Sequence, residues 1–265
     1  MRRLLTFSCG DEMLSATLDE AEGAIGVLMV TGGSQTRIGS HRMYESLGKS
    51  LAKRGYPSMR FDRRGVGDSS GDDPGFRDSG PDLAAAASAF RAEAPAIERL
   101  VGFGLCDGAT ALALHGVDAG VADVILVNPW LVEASSGEPP PAAIRSHYRR
   151  RLLSLAGWKK LLTGNINVRK LAGGLRKAGS ATDSSLADEA ARGLQRFGSP
   201  ATLILATGDA TATAAAAEVE RRAFAGLIDA TIEIETDSHT FARAGDQEAL
   251  EAAVLAALVA LEGEA

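Results

Sequence analysis

The chain has 265 residues, of which 45% are hydrophobic and 23% are charged, and its formal net charge is -6 at pH 7. This length and composition are typical of one large α/β domain with an ample core. The acidic balance gives no overall attraction to nucleic acid or anionic lipid, and we expect no nucleic-acid partner. No apolar stretch approaches the roughly 20 residues that span a bilayer, and the apolar run at the N-terminus is too short for a secretory signal. We therefore expect a soluble, cytoplasmic protein.

The chain contains only two cysteines, Cys9 and Cys106, and four histidines. Two sulfurs without a histidine-rich cluster indicate neither a disulfide framework nor a zinc site. We therefore predict no metal and no cofactor, and any chemistry must come from the side chains themselves.

The first half of the chain alternates short apolar runs with helical patterns. Residues 3–8 and 13–18 alternate in hydropathy on either side of a turn and predict an antiparallel hairpin. Continuous apolar runs predict buried strands at 26–30, 57–61, 100–105 and 124–127. Helical spacing predicts helices from 43 to Gly55, at 82–92 and at 109–115. Strands that alternate with helices in this way favour a parallel sheet with right-handed crossovers.

This alternation stops between Leu131 and Arg196, where no strand-like run occurs. Apolar residues in the stretch recur at helical spacing, which predicts an inserted helical lid over 131–196. The core domain would then consist of residues 1–130 and 197–265. After the lid the sheet resumes, with strands predicted at 201–206 and 229–235 and helices at 212–224 and 246–261.

The most informative stretch is Val101-Gly-Phe-Gly-Leu-Cys-Asp-Gly-Ala-Thr110, where a predicted strand passes into a predicted helix with almost no linker. Gly104, Cys106 and Gly108 have the spacing of the nucleophile elbow G-x-S-x-G, with sulfur in place of the serine oxygen. Such a turn strains the nucleophile's backbone and requires small neighbours. The helix N-terminus behind the sulfur offers N–H groups to a thiolate. The alternative is a buried structural cysteine before an ordinary turn.

A weak nucleophile needs a base to take its proton and a third group to orient that base. Asp209 follows one predicted strand and His239 follows the next, so the chain order is nucleophile, acid, histidine. Both residues come at carboxyl ends of strands, where α/β sheets place their sites. We therefore predict Cys106, His239 and Asp209 as catalytic residues. Asp209 as a simple helix N-cap, with Asp229 or Asp237 as the acid, stays open.

Acyl chemistry also needs backbone donors that stabilise a developing oxyanion. Gly32 and Gly33 follow the first buried strand, and we assign one donor to the N–H of Gly33, with Ser34 as the next candidate. The other donor is the N–H of Asp107, directly after the nucleophile. A carboxylate that pointed towards Cys106 would disfavour a thiolate, so we expect the Asp107 side chain to turn away.

Four segments of the chain carry a family resemblance, namely Gly32-Gly-Ser-Gln-Thr-Arg-Ile-Gly-Ser-His-Arg42, Arg60-Phe-Asp-Arg-Arg-Gly-Val-Gly-Asp-Ser69, Gly104-Leu-Cys-Asp-Gly108 and Asn128-Pro-Trp130. Together they resemble the α/β-hydrolase superfamily, and more narrowly the exosortase A system-associated hydrolase 1 family. The resemblance implies an α/β-hydrolase fold with a mostly parallel sheet, an N-terminal antiparallel hairpin and an inserted helical lid. It also implies a cysteine nucleophile and a setting in bacterial exopolysaccharide production and protein sorting.

The chain departs from this family at two positions near the expected site. Ser34 stands where the family commonly has proline, and Gly108 stands where it commonly has alanine. We expect the glycine at position 108 to loosen the elbow slightly without removing a catalytic group.

A cysteine nucleophile of this kind attacks esters and thioesters, and the acyl-enzyme that it forms is itself a thioester. Water would complete a hydrolysis, whereas an alcohol or amine would complete an acyl transfer. We therefore expect a hydrolase of carboxylic esters or thioesters, with an acyltransferase acting on saccharide or lipid precursors as the alternative. A third alternative is a catalytically idle scaffold that binds exopolysaccharide components.

The predicted lid is strongly basic, since no acidic residue occurs from Pro139 to Thr182. Its basic residues are Arg145, Arg149, Arg150, Arg151, Lys159, Lys160, Arg169, Lys170, Arg176 and Lys177. A basic lid over the site favours a small anionic acyl substrate, such as a coenzyme A thioester or an acidic saccharide. A solvated helix face or an oligomer contact accounts equally for the charge, and the oligomeric state stays open. His41, Arg42 and His147 are candidate pocket residues that are equally consistent with a surface position.

Overall fold

The structure, a computed structural model, describes residues 1–132 and 185–263. Its strands are β1 (Arg2–Cys9), β2 (Glu12–Asp19), β3 (Ile25–Val30), β4 (Ser58–Phe61), β5 (Arg99–Leu105), β6 (Asp123–Val127), β7 (Ala201–Ala206) and β8 (Ile228–Ile234). Its α-helices are α1 (Met43–Lys53), α2 (Gly80–Glu93), α3 (Asp107–His115), α4 (Ser185–Leu194), α5 (Ala210–Val219) and α6 (Asp246–Glu262). Short 3₁₀ turns lie at Ser40–Arg42, Phe76–Asp78 and Arg222–Phe224.

The strands of the described residues form one sheet of eight, in the order β1-β2-β4-β3-β5-β6-β7-β8. The pairs β1–β2 and β2–β4 are antiparallel, and every later pair is parallel. The predicted mostly parallel sheet with an N-terminal antiparallel hairpin is therefore confirmed.

The strand order determines where the helices lie. Chain direction across the sheet reverses at β3, because β4 pairs with one of its edges and β5 pairs with the other. Right-handed crossovers then place α1 on one face and α2 and α3 on the opposite face. In agreement, α1 contacts α6, whereas α3 contacts both α2 and α4. The loops after β3 and β5 leave the sheet towards opposite faces, which opens a crevice at its carboxyl edge.

The central strands are apolar because both of their faces are covered. All residues of β3 and β6 are buried, and on β5 only Arg99 is partly exposed. The ring of Tyr44 on α1 packs edge-on against Phe103 of β5, with 5.8 Å between ring centroids. Each such fully buried large side chain contributes on the order of 2 kcal/mol through removal of apolar surface from water. The core therefore holds the carboxyl ends of β3, β5 and β6 in fixed relative positions.

A buried ion-pair network holds the antiparallel edge of the sheet to β4. The carboxylate of Asp19 at the end of β2 accepts a hydrogen bond from Arg2 (2.6 Å) and forms a second ion pair with Arg60 on β4. The side chains of Asp19 and Arg60 are both almost fully buried, so neither charge can be left without its partner at low cost.

Two features differ from the sequence prediction or lie beyond it. The helix predicted over 212–224 ends at Val219, because the backbone of Arg221 is extended before the short turn at Arg222–Phe224. Helix α4 falls inside the stretch predicted as a lid and packs against α3, where Gly193 approaches the Ala113 carbonyl closely. The remainder of the predicted lid, 133–184, lies outside the described residues.

Within the described ranges, every helix is too short or too polar to cross a bilayer.

Candidate active site

The predicted elbow is present at the junction of β5 and α3. Cys106 occupies the position between them with φ 59° and ψ -125°, a conformation that costs a residue with a side chain about 1–3 kcal/mol. Its N–H donates to the carbonyl of Val127 at 3.0 Å, so the turn is fixed to the neighbouring strand β6. The side chain of Cys106 is partly exposed. A strained, accessible sulfur at a helix N-terminus is the expected arrangement for a nucleophile.

The glycines of the elbow allow three pieces of backbone to approach one another. A Cβ on Gly104 would lie 2.7 Å from the N of Ala109, in the first turn of α3. A Cβ on Gly108 would lie 2.5 Å from the carbonyl oxygen of Val30 at the end of β3. Gly108 therefore also provides the close contact between the elbow helix and the strand that precedes the Gly32-Gly33 loop, and the expectation that it loosens the elbow slightly stays a prediction.

Asp209 and His239 meet at the carboxyl edge of the sheet. Asp209 is the N-cap of α5, where its Oδ2 accepts the N–H of Ala212 at 2.9 Å. The same oxygen lies 3.0 Å from Nδ1 of His239. Asp209 is thus both the N-cap of α5 and the carboxylate that contacts His239, so the cap holds this carboxylate against the imidazole.

The competing carboxylates are occupied elsewhere or point to solvent. Asp237 forms an exposed, two-pronged ion pair with Arg243, and Asp229 is exposed on β8. Neither makes a hydrogen bond to His239 in the described part of the chain.

The pKa of His239 is raised to about 10. The hydrogen bond to Asp209 is the largest cause, and interaction with the Cys106 side chain is the second, while burial opposes both. For Asp209, burial raises the pKa, but the hydrogen bonds from His239 and from the Ala212 N–H outweigh it and hold the pKa below its ordinary value. At neutral pH the pair is therefore an imidazolium that faces a carboxylate on one side and the Cys106 sulfur on the other.

Since Nδ1 of His239 is held by Asp209, the ring nitrogen that remains for Cys106 is Nε2. The Cys106 side chain interacts with the ring, although its sulfur forms no regular hydrogen bond among the described residues. Catalytic hydrogen bonds are commonly loose before substrate binds and tighten in the reacting complex. The geometry brings the three predicted residues together in the order sulfur, imidazole, carboxylate.

The predicted oxyanion donors lie beside the sulfur, but one of them already has a partner. The N–H of Gly33 donates to Oδ1 of Asp107 at 2.5 Å. A Cβ on Gly32 would lie 2.8 Å from the same oxygen and 3.1 Å from Cβ of Cys106, so the loop lies directly against the elbow. The expectation that the Asp107 side chain turns away was wrong, because its carboxylate reaches across to the Gly33 N–H. Ser34 is the next residue of this loop, and both Gly33 and Ser34 are exposed.

Arg63 is a residue near the site that the sequence analysis missed. Its Nη2 donates to the carbonyl of Gly33 at 2.5 Å, and its side chain is only 2% exposed. Nε and Nη1 of this guanidinium are buried and have no hydrogen-bond partner among the residues that the structure describes. Both backbone polar groups of Gly33 are therefore held by charged side chains, the N–H by Asp107 and the carbonyl by Arg63. The sequence contained a signal for this residue in the run Asp62-Arg-Arg-Gly65 after β4. Arginines that follow a buried strand are expected to place positive charge at the carboxyl edge of the sheet.

The hydrogen bonds and ion pairs of the other predicted residues, where the structure describes them, join them to groups other than Cys106, Asp209 and His239. The side chain of Arg42 is 72% exposed and forms an ion pair with Glu45, and the carbonyl of His41 accepts a hydrogen bond from Gln247 at 3.3 Å. His147 lies outside the described residues. Cys9 is buried, and burial first and the neighbouring Asp82 second raise the pKa of its thiol. Cys9 is accordingly an unreactive structural cysteine.

Comparison with solved structures identifies the same fold in several hydrolases. The Pyrococcus furiosus esterase Pf2001 superposes with a TM-score of 0.63 at 15% sequence identity, over 96% of this chain and 88% of that one. A hydrolase from Pseudomonas aeruginosa PA01 gives a TM-score of 0.59 at 21% identity, over 97% and 98% of the two chains. Est1E from Butyrivibrio proteoclasticus, solved with ferulic acid bound, gives 0.63 at 13% identity, over 96% and 98%. At these identities the likeness establishes the fold.

Sequence comparison establishes the family. No curated protein matches the chain. The sequence model of the alpha/beta hydrolase family, however, matches residues 27–256, a range that includes Cys106, Asp209 and His239. With this match, the eight-stranded sheet and the strained turn at Cys106, the chain belongs to the alpha/beta hydrolase family and is an enzyme of the hydrolase type.

Proposed function

We propose that the protein hydrolyses carboxylic esters or thioesters through the side chains of Cys106, His239 and Asp209. The observation that carries this proposal is the 3.0 Å contact between His239 Nδ1 and Asp209 Oδ2, made beside a partly exposed cysteine at a strained strand-to-helix turn. A nucleophile, a base and a group that orients the base are the parts that covalent acyl chemistry requires.

The first half-reaction forms the acyl-enzyme. The sulfur of Cys106, as a thiolate, attacks the carbonyl carbon, and the carbonyl electron pair moves to the oxygen as the C–S bond forms. Backbone N–H groups beside the sulfur stabilise this oxyanion. When the tetrahedral intermediate collapses, the bond to the leaving oxygen or sulfur breaks, and Nε2 of the His239 imidazolium gives that atom its proton. The products are the free alcohol or thiol and a thioester on Cys106.

The second half-reaction restores the enzyme. Neutral His239 takes a proton from water, and the hydroxide oxygen attacks the thioester carbon. Collapse breaks the C–S bond, releases the carboxylic acid and returns the thiolate. Asp209 stays ionised throughout, holding the Nδ1–H tautomer and stabilising the imidazolium.

Two features of the sequence support a substrate class, and one of them lies outside the described residues. The basic stretch between 139 and 182 supports an anionic acyl substrate, such as a coenzyme A thioester or an acidic saccharide. The segments that resemble the exosortase A system-associated hydrolase 1 family support a role in exopolysaccharide-linked metabolism. Acyl transfer would use the same acyl-enzyme, and a product formed with an added alcohol acceptor would identify it.

The proposal is tested by rapid-mixing kinetics with p-nitrophenyl acetate. We expect an initial release of about one p-nitrophenol per chain, followed by slower turnover, because acylation forms one thioester on one sulfur. Cys106→Ala should abolish the initial release. The chain supplies its own matched control, since Cys9→Ala removes the only other cysteine and should leave the initial release intact.

Labelling with iodoacetamide decides between a slow enzyme and an inert protein. We expect the wild-type chain to be alkylated at Cys106 and not at Cys9. An initial release that persists in Cys106→Ala would refute the cysteine mechanism. Absence of both initial release and alkylation would refute enzymatic acyl chemistry altogether and favour the scaffold.

A further inference from the structure

Asn128 lies at the carboxyl end of β6, next to the elbow, and has no role in the chemistry described so far. It is fully buried, and its backbone is left-handed with φ 42°. Its N–H donates to the carbonyl of Ile204 on β7 at 3.0 Å. Asparagine is among the residues that tolerate this backbone conformation, so the backbone alone gives one reason for its presence.

The side chain of Asn128 gives a second reason. Its Oδ1 accepts the N–H of Ala206 at 2.8 Å, and its Nδ2 donates to the carbonyl oxygen of His239 at 3.2 Å. The partners are one donor and one acceptor, so the orientation of the amide is determined by the network itself. Ala206 ends β7, three residues before Asp209. One amide therefore joins the strand that carries the acid to the backbone of the histidine.

The histidine loop has other anchors, and they hold positions on either side of His239. Oγ1 of Thr236 donates to the carboxylate of Asp246 at 2.7 Å at the start of the loop. On the far side Phe241 is fully buried and has φ 54°. Among the described residues, the hydrogen bond from Asn128 is the one that holds the backbone of His239 itself.

We propose that Asn128 is a positioning residue, which holds His239 so that its ring faces both Asp209 and the Cys106 sulfur. This inference rests on the proposed function. Two hydrogen bonds from one buried amide define the separation between the end of β7 and the histidine loop. Loss of the donor would remove the hydrogen bond to the partly buried carbonyl of His239 and let the ring shift relative to the sulfur. Misplacement of a catalytic group by about 1 Å costs about 100-fold in rate.

Two substitutions separate positioning from backbone fit. Asn128→Gly accepts the left-handed backbone but removes both side-chain hydrogen bonds. Asn128→Asp keeps the shape, the left-handed tolerance and the acceptor for Ala206, but it replaces the donor to His239 with a carboxylate oxygen. Asp19→Asn is the control, because it weakens a distant buried ion pair and should lower stability without changing the kcat of the folded enzyme.

We expect both Asn128 variants to lower kcat by about 10- to 100-fold, with KM changed by less than about twofold. The second readout needs no turnover: in the wild type the proton between His239 Nδ1 and Asp209 should give a downfield ¹H NMR resonance. This resonance should weaken or disappear in both variants and persist in Asp19→Asn. Circular dichroism selects the variants that fold, and Asn128→Asp decides the question if Asn128→Gly does not fold.

A wild-type kcat together with an unchanged His239 resonance in either folded Asn128 variant would overturn the inference and leave backbone fit as the role of the residue. The resonance also separates this inference from the proposed function. If the wild type neither releases p-nitrophenol nor reacts with iodoacetamide, the proposed function fails. The effect of Asn128 on the His239–Asp209 contact is still decided by the spectra.

Discussion

In the proposed mechanism, the contact between Asp107 and Gly33 determines how the carbonyl oxygen of the substrate reaches its backbone donor. A carboxylate oxygen lies 2.5 Å from the N–H that a carbonyl oxygen of the substrate would need, and it carries the charge that the oxyanion will carry. The acyl substrate must therefore displace this side chain from the N–H before the tetrahedral intermediate can be stabilised there.

We predict that Asp107→Ala accelerates acylation of Cys106 by about 3- to 10-fold. The substitution removes a hydrogen bond that competes with the oxyanion, worth about 1 kcal/mol, and keeps the backbone N–H of position 107. The measurement is the rate constant of the p-nitrophenol release phase in the wild type and in the variant. Asp107→Asn is the matched variant, because it keeps an acceptor for Gly33 while removing the charge, and its rate should lie between the two.

A slower acylation in Asp107→Ala would contradict this prediction. That result would mean that the carboxylate holds the Gly32-Gly33 loop in place. The N–H of Ser34, and not that of Gly33, would then be the oxyanion donor in this loop. The buried guanidinium of Arg63, which binds the carbonyl of the same Gly33–Ser34 peptide group, would then orient that donor.

At the scale of elements, the residues of the candidate site follow the carboxyl ends of β3, β5, β7 and β8. The strands themselves were predictable, because a sheet covered on both faces requires continuous apolar runs and these are readable in the chain. The elbow was predictable as well, since glycine spacing around Cys106 reflects a local steric requirement. The sequence also predicted that the loops of Gly33 and Asp107 meet, but it did not predict two of the side-chain contacts: the Asp107 carboxylate with the Gly33 N–H, across 74 residues, and the Asn128 amide with the His239 carbonyl, across 111. Such pairs depend on strand order and crossover direction, which no local pattern contains.

The approach of α3 to β3 is an element-scale contact that can be tested. We predict that Gly108→Ala lowers the free energy of unfolding by about 1–3 kcal/mol and also slows acylation. The added Cβ would lie 2.5 Å from the Val30 carbonyl and 2.8 Å from the Thr31 carbonyl, so the start of the Gly32-Gly33 loop must move. Urea unfolding and the p-nitrophenol release phase measure the two effects.

Gly198→Ala is the control for this substitution, because a Cβ there meets nothing within 4 Å and the residue has no positive φ. It should leave both quantities at their wild-type values. Equal stability of Gly108→Ala and the wild type would show that β3 and α3 adjust freely, contrary to the packing described above.

At the scale of the whole molecule, the contact between His239 and Asp209 contributes to stability in a way that depends on pH. The pKa of His239 rises on folding from 6.5 to about 10, so the folded protein holds this proton more tightly than the unfolded chain. Its contribution is complete below pH 6.5 and is lost as the pH rises towards 10. The pKa of Asp209 falls below 3.8 on folding, so its contribution is complete above that pH and is lost under more acidic conditions.

We therefore predict that the stability difference between the wild type and His239→Ala is largest between about pH 4 and pH 6.5 and decreases towards pH 10. Urea unfolding followed by tryptophan fluorescence at several pH values measures this difference. A difference that stays constant, or that increases from pH 6.5 to pH 10, would contradict the paired imidazolium described here.

The central claim is that Cys106 carries the acyl group, and mass spectrometry of the acyl-enzyme tests it most directly. The wild-type protein, acid-quenched shortly after mixing with p-nitrophenyl acetate, should gain the mass of one acetyl group, and peptide mapping should place that group on Cys106. His239→Ala should acquire the same group far more slowly, because no imidazole remains to accept the proton of the thiol and give it to the leaving group. An acetyl group found on Cys9, on another side chain, or equally in Cys106→Ala would contradict the account.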